Sequence, residues 1–139
     1  MCIKELLQKY GVDLAVWAHE HSYERLFPTF NRTVIPGPNP EDPYDNPGAT
    51  VHITTGSAGC RERTDPFMKN IPEWSAFRFD QNQLLNGILQ LFSRSSDYGY
   101  TKMFVSNSTH LRLQQISADQ DGKVIDEIWI IQDNHEKFQ

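Results

Sequence analysis

The sequence predicts an α/β fold that is mostly β and ends in an antiparallel meander, and three patterns lead to this prediction. Apolar residues recur at helical spacing in residues 3–10, a nearly continuous apolar run occupies residues 12–18, and three β-rich runs fill residues 98–131. A period near 3.6 is typical of a helix, whereas short β-branched and aromatic runs between turn residues are typical of strands. The 139 residues suffice for one domain or for part of a larger one.

The first two predicted elements are a short amphipathic helix and a buried strand. Residues 3–10 place apolar side chains on one helical face, and Gly11 supplies a helix stop. The run at 12–18 is apolar without alternation, which is typical of a strand buried on both faces of a layered sheet. His19 and His21 follow its carboxyl end, the sheet edge at which active-site groups often gather because loops leave the sheet there.

The middle of the chain predicts short strands separated by loops. Residues 26–35 predict one or two short strands, and residues 36–48, with five prolines, predict an exposed loop. Residues 50–59 are β-branched and then turn on glycine, which predicts a strand running into a loop. The stretch 60–74 is irregular and charged, whereas residues 80–96 have leucine at helical spacing and predict a helix.

The three β-rich runs near the end predict the meander. They occupy residues 98–107, 110–118 and 123–131. The break at 119–122 contains an Asp-Gly hairpin signal. The polar tail, residues 132–139, is expected to fray.

Composition and charge exclude several classes of function. The net charge is −5 without a basic cluster, which argues against nucleic acid or an anionic membrane as the main partner. No run reaches the roughly 18 apolar residues of a membrane span. The first residues lack the pattern of a secretory signal, which predicts a soluble cytoplasmic protein or a chain without its true N-terminus.

The positions of the cysteines and of two asparagines give only weak evidence about the cellular compartment of the protein. Cys2 and Cys60 are too few and too far apart for a cysteine-rich zinc site, and they could pair with each other or with other groups. Asn31 and Asn107 begin sequons that would accept glycan in a secretory compartment.

His19 and His21 are the strongest candidates for metal ligands. In an extended strand, residues i and i+2 point to the same side with Cα atoms about 6 to 7 Å apart. The two imidazoles could then face one centre and chelate one ion or serve two. A catalytic ion needs about three protein ligands plus an open position, so further donors are required. The alternative is a pair of hydrogen-bonded histidines at a strand end.

The residues after the histidines resemble a known family. "HEHSYER", at 19–25, resembles the last sequence block of the purple acid phosphatases, in the calcineurin-like metallophosphoesterase superfamily. "VHITTGSAGCRE", "WSAFR", "DYGYTKM" and "QQISADQDGKVIDEIWI" are similar, in the same order, to the C-terminal portion of the animal acid phosphatase type 7 group. The resemblance implies that residues 1–139 form the C-terminal portion of a four-layer αββα metallophosphatase sandwich, with residues 80–96 as an insertion, in a secreted glycoprotein.

The resemblance also implies a metal centre and a reaction. Family members hold two ions, iron with iron, zinc or manganese, which bind a phosphate monoester and a nucleophilic hydroxide. By this resemblance His19 would ligate one ion and His21 the other, and Ala18 stands where the family usually has glycine. The family's other ligand blocks do not occur in this chain. We therefore expect the chain to require the missing N-terminal half of the catalytic domain and to be inactive alone.

Four further residues are expected near such a centre. Tyr23 and Glu24 are expected to support the ligands through hydrogen bonds, and His52 is expected to hydrogen-bond either in the core or to a ligand. Arg25 could contact phosphate through two parallel hydrogen bonds, or it could pair with Glu24 or another carboxylate and fix the loop.

Structural roles are expected of the other residues that could be taken for functional ones. Ser57 does not satisfy Gly-x-Ser-x-Gly, because Thr55 stands at the first glycine, and a structural turn is favoured. His110 and His135 are expected to be solvated. Core packing is expected of three tryptophans: Trp17, Trp74 and Trp129.

Three functions therefore remain open. The first is metal-dependent hydrolysis of phosphate monoesters, with this chain supplying the last two histidine ligands. The second is a non-catalytic β-rich glycoprotein fragment. The third is a mononuclear zinc-binding module that uses His19, His21 and a carboxylate.

Overall fold

The computed structural model of the chain is mostly β, as predicted. It describes residues 2–59, 64–68, 70–78, 97–133, 135 and 138. The predicted helix over 80–96 lies outside these residues. The described elements, in chain order, are α1 (Ile3–Lys9), β1 (Leu14–Trp17), β2 (Tyr23–Leu26), β3 (Thr29–Phe30), β4 (Thr33–Val34), β5 (Val51–Thr55), β6 (Ser75–Arg78), β7 (Gly99–Val105), β8 (His110–Ser117) and β9 (Lys123–Ile131).

The strands form two main sheets and a small hairpin. The first sheet has the order β1-β5-β2-β6, with β1 parallel to β5 and the other pairs antiparallel. Strands β3 and β4 form the hairpin. The second sheet is the meander β7-β8-β9, as predicted. Its last turn uses Asp121 and Gly122 at φ 53° and 82°, the left-handed conformation that an Asp-Gly hairpin signal predicts.

The core lies between the first sheet and the meander. It is one cluster of buried side chains from both sheets and from the proline-rich loop: Tyr23, Tyr44, Val51, Ile53, Leu113, Ile128 and Ile130. Burying one large apolar side chain of this kind contributes about 1.5–3 kcal/mol to stability. The cluster therefore fixes how the first sheet lies against the meander.

Strand β1 is not buried on both faces, contrary to the prediction. Ala15 is buried, but Val16 and Trp17 are 56% and 39% exposed. Val16 and Trp17 point to opposite faces, and both lie at the end of β1, which is the edge strand of its sheet in the described part of the chain. An apolar run without alternation does not reveal which strand lies at the edge.

The prediction that the tryptophans pack in the core is also wrong for Trp17 and Trp129. Trp129 is 42% exposed because side chains alternate along β9, and its neighbours Ile128 and Ile130 take the buried face. Trp74 is half-buried.

The proline-rich loop is exposed only in part. Tyr44 and Pro47 are buried. The amide of Ile131 donates to the Tyr44 carbonyl oxygen at 3.0 Å, and the Asn46 amide donates to the Ile131 carbonyl oxygen at 2.8 Å. These bonds hold the loop against the end of β9, which a count of prolines does not predict.

The predicted N-terminal helix is present. Its amino end is capped by the Glu5 carboxylate, which accepts a hydrogen bond from the Cys2 amide at 3.0 Å. None of its residues is buried. In the described part of the chain, no helix is long and apolar enough to cross a membrane.

Candidate metal-ligating site

The two candidate ligands lie on a loop at the carboxyl end of the first sheet. Strand β1 ends at Trp17, whose register partner on β5 is Thr54, and β2 begins at Tyr23, whose partner is Thr55. The loop 18–22 therefore crosses over the end of β5. His19 on this loop is exposed and His21 is half-buried.

One premise of the sequence prediction does not hold. His19 and His21 do not continue an extended strand, because β1 ends before them and the backbone bends. The geometry of strand residues i and i+2 therefore does not set the separation of the two rings. Their position at the sheet edge, in contrast, is as predicted.

A glycine that sequence reasoning missed supports this loop. The Gly56 amide donates to the Ser22 carbonyl oxygen at 3.1 Å. A Cβ atom at position 56 would lie 2.0 Å from the carbonyl oxygen of Glu20 and 2.4 Å from that of Ala18. The loop backbone thus rests directly on Gly56, and a side chain there would displace it. The available signal was a glycine immediately after a β-branched strand.

Gly56→Ala should therefore lower the free energy of unfolding by about 1–3 kcal/mol, as expected for overpacking against fixed backbone. Urea denaturation measures the change. Gly59→Ala is the matched control, since a Cβ at Gly59 meets nothing within 4 Å and only its φ of +62° opposes substitution. Equal losses for the two variants would show that the loop does not depend on the contact at Gly56.

Asp65 is the second contact that sequence reasoning missed. The His21 amide donates to Asp65 Oδ2 at 2.6 Å, and the Asp65 amide donates to the His21 carbonyl oxygen at 3.0 Å. This two-way bond fixes the backbone of His21. Nothing marked Asp65 in the sequence, because it lies in an irregular charged stretch.

The donor set fits a metal ion in type but is incomplete in number. Imidazole nitrogens suit zinc and iron. Among the residues that the structure describes, no three His, Cys, Asp or Glu side chains come together as a group that could hold an ion. His19 and His21 could thus contribute two ligands, and other donors would have to complete the site.

Arg25 lies in a buried polar network between β2 and β9. Its Nε and Nη2 donate to Asp126 Oδ2 and Oδ1 at 2.7 and 2.9 Å, and its Nη1 donates to the Tyr44 hydroxyl at 2.5 Å. The Tyr23 hydroxyl donates to Asp126 Oδ2 at 2.8 Å. Of the two predicted roles for Arg25, the structure shows pairing with a carboxylate, and that carboxylate is Asp126 rather than Glu24.

Tyr23 and Arg25 both stay protonated over the physiological pH range. Burial, and then the charge of Asp126, raise the pKa of Tyr23, so its hydroxyl stays protonated and donates. Burial acts to lower the pKa of Arg25, but the hydrogen bonds to Asp126 and Tyr44 and the electrostatic interactions with both groups together outweigh it, and the pKa rises. Arg25 and Asp126 are 12% and 7% exposed and behave as a buried ion pair.

Glu24 ties the same strand to its other neighbour. Its Oε1 accepts hydrogen bonds from Ser75 Oγ and from Arg78 Nε, both at 2.6 Å. Tyr23 and Arg25 thus attach β2 to β9, and Glu24 attaches β2 to β6. The loop that carries the two histidines is therefore anchored directly after its last residue.

His52 is hydrogen-bonded within the first sheet. Its Nδ1 accepts a hydrogen bond from Trp17 Nε1 at 3.1 Å, and the two rings stack with centroids 6.0 Å apart. Burial lowers the pKa of His52, against an opposing hydrogen bond to the Thr29 backbone. His52 therefore stays neutral in the fold and holds Trp17 at the end of β1.

A dependence of stability on pH follows from His52. Its folded pKa lies below the unfolded value of 6.5, so the unfolded chain binds more protons as the pH falls. The contribution of neutral His52 to the free energy of unfolding is fully present above pH 6.5, and it is lost as the pH falls through the folded pKa. We expect His52→Gln, in chemical denaturation at several pH values, to weaken the loss of stability in that window; an unchanged slope would contradict this assignment.

The remaining candidate residues have local structural partners. Ser57 is buried, and its hydroxyl donates to the Gly99 carbonyl oxygen at 3.5 Å, in keeping with a structural turn. His110 is half-buried rather than solvated, and it meets Trp129 edge to face at 6.4 Å. His135 is exposed but contacts Asp13 Oδ2 at 3.1 Å.

Both sequon asparagines are exposed. Asn31 Oδ1 accepts a hydrogen bond from Lys4 Nζ at 2.5 Å. Asn107 Oδ1 accepts hydrogen bonds from the amides of Thr109 and His110, both at 2.8 Å. Glycosylation of either asparagine stays a prediction.

The chain is similar to known proteins along most of its length. Residues 49–127 match the model of a family described as iron/zinc purple acid phosphatase-like protein C. An acid phosphatase type 7 from Danio rerio is 48% identical over 133 residues, which are 96% of this chain and 26% of that protein. The Homo sapiens acid phosphatase type 7 is 46% identical over 129 residues, 93% of this chain and 26% of that protein. The chain thus spans about a quarter of the length of these relatives.

A solved structure shows the same fold. It is a purple acid phosphatase from yellow lupin seeds, 24% identical, with a TM-score of 0.71 over 94% of this chain and 19% of that one. The arrangement of the two sheets is therefore that of part of a metallophosphatase fold.

Proposed function

The chain belongs to the iron/zinc purple acid phosphatase-like family, and from this premise we propose that it supplies His19 and His21 to the binuclear metal centre of an acid phosphatase. The substrate class is phosphate monoesters, and the metals are iron with iron, zinc or manganese. His19 ligates one ion and His21 the other. Secretion and glycosylation at Asn31 and Asn107 belong to the same proposal.

The observation that carries the proposal is the anchored loop. The two imidazoles lie on a short loop at the carboxyl edge of the sheet. The backbone of that loop contacts Gly56 and is hydrogen-bonded to Asp65. Such support is what metal ligands require, because a ligand held loosely loses affinity for its ion.

The remaining donors come from polypeptide beyond this chain. Two imidazoles cannot hold two ions, and the described residues form no larger donor group. Strand β1 pairs with β5 on one side only in the described part of the chain, and it exposes Val16 and Trp17. An edge strand with exposed apolar side chains next to the two histidines suits packing against the rest of a catalytic domain.

The chain's own residues position the ligands and keep them available. When bound, a pair of cations would neutralise phosphate charge and lower the pKa of a bound water. His19 and His21 would bind through neutral imidazole nitrogens. Arg25 contributes by holding β2 to β9, since Asp126 and Tyr44 already accept its donors.

Metal content together with turnover tests this proposal. The complete protein that contains this chain should hold about two ions and hydrolyse a generic aryl phosphate, as two-metal sites do. The 139-residue chain alone should show no measurable hydrolysis. About one zinc ion per complete protein would favour the mononuclear module, and no metal would favour the non-catalytic glycoprotein.

A further inference from the structure

The outer edge of β9 carries chemistry that the proposed metal centre does not use. The amide and carbonyl of Ile131 bond to the proline-rich loop and therefore face away from β8. Peptide groups of alternate strand residues face the same edge. The register shift of β9 lies nearer its start, opposite Gln115 and Ile116, so this alternation is regular from Asp126 onward. The N–H and C=O groups of Glu127 and Trp129 therefore face the outer edge as well.

These backbone groups lack a strand partner in the described part of the chain. The proline-rich loop hydrogen-bonds to Ile131 and also to Asp133. No described backbone group outside the meander hydrogen-bonds to Glu127 or Trp129. Unpaired edge groups of this kind accept an additional strand.

A negatively charged groove runs along this open edge. It encloses about 320 Å³ and is lined by Asp42, Tyr44, Glu127, Ile128 and Trp129. Asp42 accepts a hydrogen bond from the Tyr44 amide at 3.3 Å, and Glu127 accepts one from the Gln114 side chain. Among the described side chains, neither carboxylate forms an ion pair. Within the part of the chain that the structure describes, the groove therefore presents two carboxylates that form no ion pair.

Trp129 forms a fixed aromatic wall of the groove. The Arg112 guanidinium lies 5.5 Å from the centre of its ring on the exposed face of the meander, and His110 meets it edge to face at 6.4 Å. These contacts hold the ring in place while 42% of the residue stays exposed. A rigid indole beside two carboxylates is a suitable surface for a guanidinium group.

We propose that this groove binds an extended segment of a separate protein, which adds as a strand to β9 and places an arginine against Asp42 and Glu127. Backbone hydrogen bonds supply affinity in such strand addition, and the side-chain pocket supplies selectivity. The net charge of −5 favours approach of a basic partner. This interaction goes beyond the proposed hydrolysis and does not depend on it.

Fluorescence anisotropy with a designed peptide tests the proposal. The probe is a labelled, acetylated peptide of alternating Thr and Val with one central Arg, titrated with the complete protein that contains this chain at low salt. Glu127→Gln and Asp42→Asn should each raise its Kd about three- to fivefold, as for partly exposed ion pairs. Glu73→Gln, an exposed carboxylate outside the groove, should leave the Kd unchanged.

Two modified peptides separate strand addition from charge attraction alone. Replacing the central Arg by Glu should abolish binding. The amides of the peptide fall into two alternating sets, and only one set faces β9, because an added strand pairs through one edge. N-methylation of that set should abolish binding, whereas N-methylation of the other set should leave binding intact. Absence of binding, equal binding of the Glu peptide, insensitivity to both methylations, or pairing of two copies through β9 would each overturn the proposal.

Discussion

Asp126→Ala should lower the free energy of unfolding by about 3–5 kcal/mol, the cost of removing one partner from a buried ion pair. Asp126 accepts both hydrogen bonds of the Arg25 fork and a third from Tyr23. Without it, the Arg25 guanidinium stays buried, and among the described residues it keeps a hydrogen bond only to Tyr44. Since the total free energy of unfolding of a domain is only about 5–15 kcal/mol, we expect a large drop in the urea midpoint.

The next residue on the same strand supplies the matched control. Glu127 is exposed, so Glu127→Ala should change stability by no more than about 0.5 kcal/mol. Arg25→Leu combined with Asp126→Leu should cost less than the sum of the two single variants, because it leaves no unpaired charge. Additive losses in this double-mutant cycle would contradict the assignment of the pair as the link between the two sheets.

His19→Ala, and separately His21→Ala, should reduce phosphate monoester hydrolysis by the complete protein more than about 100-fold, since loss of a residue that merely supports a ligand already costs 10–100-fold. Each variant should also lose one ion, because each imidazole is proposed to ligate a different ion. Turnover assays and elemental analysis of the purified variants measure the two effects.

His135→Ala is the matched control for these variants. His135 is exposed and lies far along the chain from the loop, against Asp13. It should leave turnover and metal content unchanged. Normal hydrolysis by either His19→Ala or His21→Ala would refute the ligand assignment, while an equal loss in His135→Ala would point to general misfolding instead.

Local patterns of the sequence were sufficient to predict most of the strands. The meander followed from three β-rich runs and an Asp-Gly turn, and β5 followed from its β-branched residues. These features are local, because turn chemistry and side-chain period act within a few residues. The position of the histidines at a sheet edge followed from the apolar run before them.

Contacts between distant segments could not be predicted in the same way. Arg25 pairs with Asp126, which is 101 residues away, and no local pattern distinguishes that carboxylate from Glu24. The same holds for Asp65, which fixes His21 from 44 residues away. The exposure of Trp17 and Trp129 depends on which strand is an edge and which face meets the core, and tertiary packing alone decides both.

The most direct test is anomalous X-ray diffraction from crystals of the complete protein, measured at the iron and zinc absorption edges. We expect two neighbouring ions, about 3.5–4 Å apart as in other two-metal sites, with the His19 ring bound to one and the His21 ring bound to the other. Both rings on a single ion, or an ordered loop 18–22 with neither ring bound to metal, would contradict the account.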